Sequence, residues 1–286
     1  MKKILYFVEF VFIKFLFFFI ELIGYKNGSD LGNILGKILG PFFRSRKLIA
    51  RNLEQANISK KISYKKIINN VYGNYGRILA EYPFLKKFRN DHLDRYIEIE
   101  GLKNLEKIKL GNKKAVFISG HFNNFELMAM QIEKAGVDLC AIYRPLNNMF
   151  LNKTMEEIRS KFICKNQIKK GRSGTRKIIE NLKKGRSVAL MIDQRVREGI
   201  KSSFFNGLAS TTTIPAQLIK KYKCELIPIY IERKNKYYFK MFVSEPIKIS
   251  ANKSVGEITL HLNKILEKMI IKNVDQWIWT HDRWKK

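Results

Sequence analysis

The sequence predicts an α/β fold: a mostly parallel central sheet flanked by helices, preceded by a hydrophobic N-terminal helix. Three observations predict it. Apolar runs at 115–119, 139–143, 188–192 and 225–231 alternate with amphipathic stretches at 123–135, 150–161, 174–184 and 212–222, the order of successive βαβ units. Each of these runs ends in polar residues, as strands do where they leave a sheet. Residues 4–25, ILYFVEFVFIKFLFFFIELIGY, are dominated by aromatic and aliphatic side chains over the length that spans a bilayer.

In chain order, the 4–25 segment is interrupted by Glu9, Lys14 and Glu21. It is therefore either an imperfect spanning helix or one lying partly in the interface. No small-x-small cleavage site follows, so an uncleaved membrane anchor over 1–25 is the expectation. Lys26, Lys37, Arg44, Arg46, Lys47 and Arg51 after it, against Lys2 and Lys3 before it, place the body (26–286) on the cytoplasmic side. Gly28, Gly32, Gly36 and Gly40 recur every fourth residue and form one helical ridge, suited to docking on the N-terminal helix or under a lipid. Helices follow near 44–56 and 63–80, the second closed by Tyr82-Pro83, so 26–100 is helical and 101–286 is the α/β core. After the four core strands, 237–243 reads as a further strand and 254–272 as a last amphipathic helix.

Composition narrows the partners. Of 286 residues, Lys+Arg number 55 and Asp+Glu 25, a formal charge of +30. Such a surface favours anionic partners, although a Lys-, Ile- and Asn-rich composition also follows from an AT-rich genome. The lysines are spread along the chain with no basic block, zinc finger or RNA-binding aromatic motif, so nucleic acid is not an expected partner. Cys140, Cys164 and Cys224 are isolated and lack metal spacing, which predicts buried reduced thiols and no metal site.

Chemistry concentrates where strands end. After the run 115–119 come Gly120, His121 and, on the first turn of the next helix, Glu126. A neutral imidazole can take a proton from an alcohol, and a nearby carboxylate can fix its tautomer. The turn between them can bring His121 and Glu126 together; the plainer alternative is a helix-capping His and a solvated Glu. Two histidines one helical turn apart, the zinc-protease arrangement, are absent. Arg144 follows the second strand, and Asp193 and Gln194 the third; Arg159 lies on the intervening helix. Ligands in open α/β sheets bind off such ends. Phe205, Gly207 and Thr211 lead into a helix whose start can hold an anion or simply be capped. Trp277, Trp279 and Trp284 suit a membrane–water interface, and His281 among them reads as structural.

Taken together, these pieces resemble the bacterial lipid A biosynthesis acyltransferases, the late lauroyl- and myristoyl-type enzymes within the wider lysophospholipid acyltransferase group. The resemblance covers nearly the whole chain. It is carried in order by the hydrophobic N-terminus, Arg51-Asn52-Leu53, SGHFNNFE, YRPLNN, MIDQ, FFNGLASTTTIPA and QWIWTHDRWK.

The resemblance implies a glycerolipid acyltransferase-like fold and a catalytic dyad on His121 and Glu126. Spacing from the motifs puts a further arginine and acid on Arg159 and Asp193. The expected substrate-binding residues are Arg144, Asn123, Asn124, Gln194, Phe205, Gly207 and Thr211. Family members usually carry glycine within the His-x4-Glu motif, where this chain has Asn123-Asn124. The implied reaction moves a fatty acyl chain from acyl carrier protein or CoA to a hydroxyl of a lipid A precursor, without cofactor or metal. Acyl carrier protein, the lipid A precursor and anionic membrane lipids are the implied partners, and the cytoplasmic face of the bacterial inner membrane the implied location. The same chemistry on another glycolipid or a lysophospholipid is the nearest alternative; a non-enzymatic basic membrane-surface protein is a more distant one.

Overall fold

Five helices precede the sheet: Lys2–Ile23 (α1), Tyr25–Phe43 (α2), Arg46–Gln55 (α3), Tyr64–Glu81 (α4) and Leu85–Arg89 (α5). The structure, a computed structural model, describes residues 2–58, 63–111 and 113–285. The outer ends of the expected segments, residues 1 and 286, lie outside the described residues.

The glycine ridge of α2 packs on α4. A Cβ at Gly32 would stand 2.5 Å from the Gly76 carbonyl oxygen, and one at Gly40 would stand 2.6 Å from the Tyr72 ring. Only Gly28 meets α1, through Ile20. The ridge thus serves chiefly an internal contact with α4, which supplies its own glycine, Gly76, at the closest approach, and docks on the N-terminal helix at Gly28 alone. α1 is held elsewhere. Phe7 and Phe10 pack on Phe150, and Asn148 donates to the Tyr6 carbonyl and the Glu9 carboxylate, each at 2.8 Å.

Among the described residues, no helix is long and apolar enough to cross a membrane. Of the two arrangements expected for this segment, spanning or lying in the interface, the spanning one is therefore not supported: Lys3, Glu9, Lys14 and Glu21 interrupt α1 throughout.

Next come Ile97–Glu100 (β1), Leu102–Leu110 (α6), Ala115–Ser119 (β2), Glu126–Lys134 (α7), Leu139–Tyr143 (β3), Met149–Ile158 (α8), Asn166–Lys169 (β4) and Arg172–Lys183 (α9). Ser187–Met191 (β5), Ile200–Phe204 (β6), Gly207–Thr211 (β7), Ile214–Tyr222 (α10), Glu225–Asn235 (β8), Tyr238–Val243 (β9) and Val255–Lys272 (α11) complete the chain. The sheet order is β1-β9-β8-β2-β5-β3-β4. Strands β8, β2, β5, β3 and β4 run parallel. β9 turns back antiparallel on β8, and β1 runs with β9.

β2 sits between β5 and β8 and is buried at every residue, so its sequence is continuously apolar. α7 packs on β3 and β8, α10 on β2, and α9 on β3, β4 and β5. Two edge strands, β1 (IEIE) and β4 (NQIK), carry no apolar run and were not among the expected strands. Residues 200–211 form the antiparallel hairpin β6–β7, with Phe205 at φ 49° in its turn; Phe205, Gly207 and Thr211 belong to this hairpin, and the helix expected after them begins at Ile214. α7 starts at Glu126 rather than 123, which leaves His121 to Phe125 as an irregular loop.

Candidate active site

The site begins where two neighbouring parallel strands end level with each other. Ser119 of β2 pairs with Met191 of β5, and two residues beyond each lie His121 and Asp193. Gly120 permits the approach, because a Cβ there would meet Leu266 at 2.9 Å and Asp193 Oδ2 at 3.2 Å.

Asp193 is fully buried. Its Oδ1 accepts from His121 Nδ1 at 2.8 Å. Its Oδ2 accepts from the His121 backbone N–H at 2.7 Å and the Trp277 indole N–H at 2.9 Å. A carboxylate on Nδ1–H makes Nε2 the basic nitrogen of His121. Burial pushes the imidazole pKa down, but Asp193 and then Glu126 outweigh it, so His121 titrates above its ordinary value. Burial likewise opposes ionisation of Asp193, yet His121 and Trp277 hold it below the usual carboxylate range.

Glu126, expected beside His121, is engaged elsewhere. Its Oε1 accepts from Arg159 Nε at 3.0 Å and Nη2 at 2.8 Å, and from the Tyr82 hydroxyl. The reason is its place on the first turn of α7, facing the end of α8, where Arg159 opens a π-helical turn over Arg159–Ile163. Burial lowers the Arg159 pKa, but Glu126 and Tyr82 overcome it and keep the guanidinium firmly charged. Burial, then Glu126, pushes the Tyr82 phenol well up.

His121, Glu126 and Arg159 line one cavity of about 480 Å³, together with Arg144 and Gln194. Arg44 and Lys170 add positive charge, while Phe125, Ile142, Met191 and Ile278 add apolar wall.

The other expected substrate contacts stand outside the cavity lining. Asn123 takes φ 42°, a left-handed conformation natural to glycine and tolerated by Asn, and its side chain is spent on Gln276. Asn124 donates to buried Glu81 at 3.0 Å. The Phe205 amide donates to Glu267 at 2.7 Å, and Gly207 lies against Gln55 and Trp284. Thr211 accepts from Arg283 at 2.7 Å and Asn263 at 3.2 Å. These five sit in the loop and the hairpin, where they contact other parts of the fold, although Oδ1 of Asn123 and of Asn124 is buried without a hydrogen-bond partner.

Trp277 and Trp279 are also inside, 2% and 0% exposed, not at a membrane–water boundary. Cys140, Cys164 and Cys224 are free and buried. Among the described residues no group of three or more His, Cys, Asp or Glu is placed to hold a metal.

A model of the bacterial lipid A biosynthesis acyltransferases matches residues 1–286. The chain belongs to that family. As an acyltransferase of this family it is similar to the lipid A biosynthesis palmitoleoyltransferase of Escherichia coli (strain K12) and the lipid A biosynthesis acyltransferase of Shigella flexneri. Each is 26% identical over 263 residues, covering 89% of this chain and 84% of the relative. It is also similar to the lipid A biosynthesis lauroyltransferase of Escherichia coli (strain K12), 27% identical over 268 residues with the same coverage.

The acyltransferase cavity also contains residues that sequence reasoning did not single out: Tyr75, Lys170 and Thr280, with His281 beside them. Their signal was weak. Tyr75 looks like one more residue of an amphipathic helix, and Lys170 like one of many lysines. Asn52 explains the link between the Arg-Asn-Leu and C-terminal motifs, since it donates at 2.9 Å to both the Trp279 and His281 carbonyls.

Proposed function

We propose that this protein transfers a fatty acyl chain from an acyl thioester, such as acyl carrier protein or CoA, to a hydroxyl of a lipid A precursor, with His121 as general base. The single observation that carries the mechanism is the His121–Asp193 contact at 2.8 Å beside a cavity with both charged and apolar walls. Nε2 takes the hydroxyl proton as the oxygen attacks the thioester carbonyl. The tetrahedral intermediate collapses, the C–S bond breaks, and His121 returns the proton to the departing thiolate. Asp193 stays ionised and balances the imidazolium. Glu126 acts on Arg159, which it holds in place at the cavity wall. Arg159, Arg144 and Lys170 attract phosphate groups on either substrate, and Gln194 offers a neutral polar contact.

Membrane association belongs to the same reading. Phe12, Phe15 and Phe42 are 63%, 67% and 83% exposed on α1 and α2, an apolar surface suited to lying in the interface at the cytoplasmic face.

The experiment is mass spectrometry of lipid products. Purified protein in detergent receives a tetra-acylated precursor and acyl carrier protein or CoA charged with lauroyl, myristoyl, palmitoyl or palmitoleoyl chains. One added chain is expected, with His121→Ala losing about 100- to 10,000-fold in rate. A His121→Ala rate above about a tenth of wild type sinks the general-base assignment. No product with any donor, from folded protein, sinks the lipid A acceptor.

A further inference from the structure

His281 stands on the wall of the cavity that His121 lines, and its hydrogen bonding sets it in the opposite sense. Its Nε2 accepts from the Arg195 backbone N–H at 2.9 Å. An amide N–H can only donate, so that nitrogen carries a lone pair, and the neutral ring bears its proton on Nδ1. His121 is the reverse: its Nδ1–H donates to the Asp193 carboxylate, which leaves the lone pair on Nε2.

The ring is also held in place. Asn52 anchors the carbonyls of Trp279 and His281, Trp277 is tied to Asp193, and Tyr75 bonds the neighbouring Thr280 at 2.9 Å. Burial, with Arg283 nearby, pushes the His281 pKa down despite Asp193, so the ring is neutral where His121 works.

We propose that His281 is a second substrate-contacting imidazole, whose Nδ1–H donates to the acyl carbonyl oxygen as it becomes an oxyanion. The inference rests on the acyl-transfer reading above and adds to it the electrophilic half of the site. The donor is preorganised: its tautomer is fixed by a backbone amide and does not have to change during the reaction. A neutral imidazole is the better donor here, because an imidazolium could lose its proton to the adjacent base.

Two near-isosteric variants separate this role from a structural one. In His281→Asn the side-chain amide sits near the position of Nδ1, so the cavity donor is kept and the acceptor for Arg195 is lost. In His281→Gln the amide reaches the position of Nε2, so the Arg195 contact is kept and the cavity donor is lost. With the acyl-transfer assay, His281→Gln is expected to lose about 100-fold or more in kcat, the usual cost of an oxyanion donor, with KM little changed. His281→Asn is expected to stay within about tenfold of wild type, the smaller loss leaving the donor in place. The reverse order, equal loss in both, or no loss in either overturns the proposal.

Nitrogen-edited NMR of histidine-labelled wild-type protein gives a second readout that needs no variant and no turnover. Protonated Nδ1 and bare Nε2 are expected at His281, and the opposite tautomer overturns the proposal. Failure of the general-base reading shows instead as an active His121→Ala, independently of the His281 tautomer.

Discussion

Asp193 is a carboxylate closed off from solvent that stays ionised because three N–H donors converge on it: the ring and backbone of His121 and the indole of Trp277. Removing its charge while keeping its shape tests what it does for His121. His121 accepts a proton only when neutral, and its pKa is raised, so kcat/KM should rise with pH through a value above that of an ordinary imidazole. Asp193→Asn should lower kcat by about 1,000- to 10,000-fold. It should also move the remaining acid limb to lower pH, since the carboxylate that raised the pKa is gone; a pH–rate profile checks both. An unmoved limb would assign the raised pKa to another group. Glu126 has a different task, because its carboxylate sits on Arg159 with side-chain exposures of 9% and 13%. Glu126→Ala strands a buried guanidinium and should cost about 3–5 kcal/mol in unfolding free energy. Adding Arg159→Met should recover much of that stability without recovering activity, as thermal unfolding and product assays would show.

At the scale of elements, the site depends on two parallel strands ending level and on the helical layer that supports the loop after β2. That layer is bound to the sheet through Glu81 at the end of α4. Glu81 accepts from Arg233 at 2.7 Å, from Ser29 at 2.7 Å and from Asn124 at 3.0 Å. The next residue, Tyr82, reaches Glu126. The α2–α4 contact is therefore coupled to the position of the His121 loop. Its tightest point is Gly76, where an added Cβ falls on the Gly32 carbonyl. Gly76→Val should cost at least about 1–3 kcal/mol through overpacking, and lower both Tm and kcat. Unchanged Tm in a calorimetric scan would mean that the two helices separate without consequence for the sheet.

Over the whole molecule, charge and apolar exposure act together. The chain carries a formal +30, and α1 buries only Ile20 while presenting Phe12, Phe15, Phe18 and Phe19 outward. A helix that turns these rings outward, while Ile20 packs on Gly28 and Phe7 and Phe10 pack on Phe150, has one apolar face suited to a lipid interface rather than water. Wild-type protein should float with vesicles containing anionic lipid and be partly released by salt, because exposed charges are screened. Phe12→Glu combined with Phe15→Glu should leave it unbound at the same salt. Equal flotation of that variant would place attachment on the basic surface alone.

The sequence by itself determined the α/β order and the family. β2 and β3 were legible to the residue because central strands are continuously apolar and end abruptly in polar residues, and the hydrophobic N-terminus followed by six short motifs in order carried the resemblance. The edge strands β1 and β4 were not legible, since a short strand covered mainly by one neighbour needs no apolar run. The tertiary structure alone decided which acid meets His121. Glu126 is near in sequence but is turned toward Arg159, whereas Asp193 lies 72 residues away and arrives through the neighbouring strand. It also decided that Trp277 and Trp279 are core and that His281 lines the cavity. Sequence spacing reports which residues share a turn or a strand. Pairing between strands, and the burial that selects one carboxylate over another, exist only once the sheet has formed.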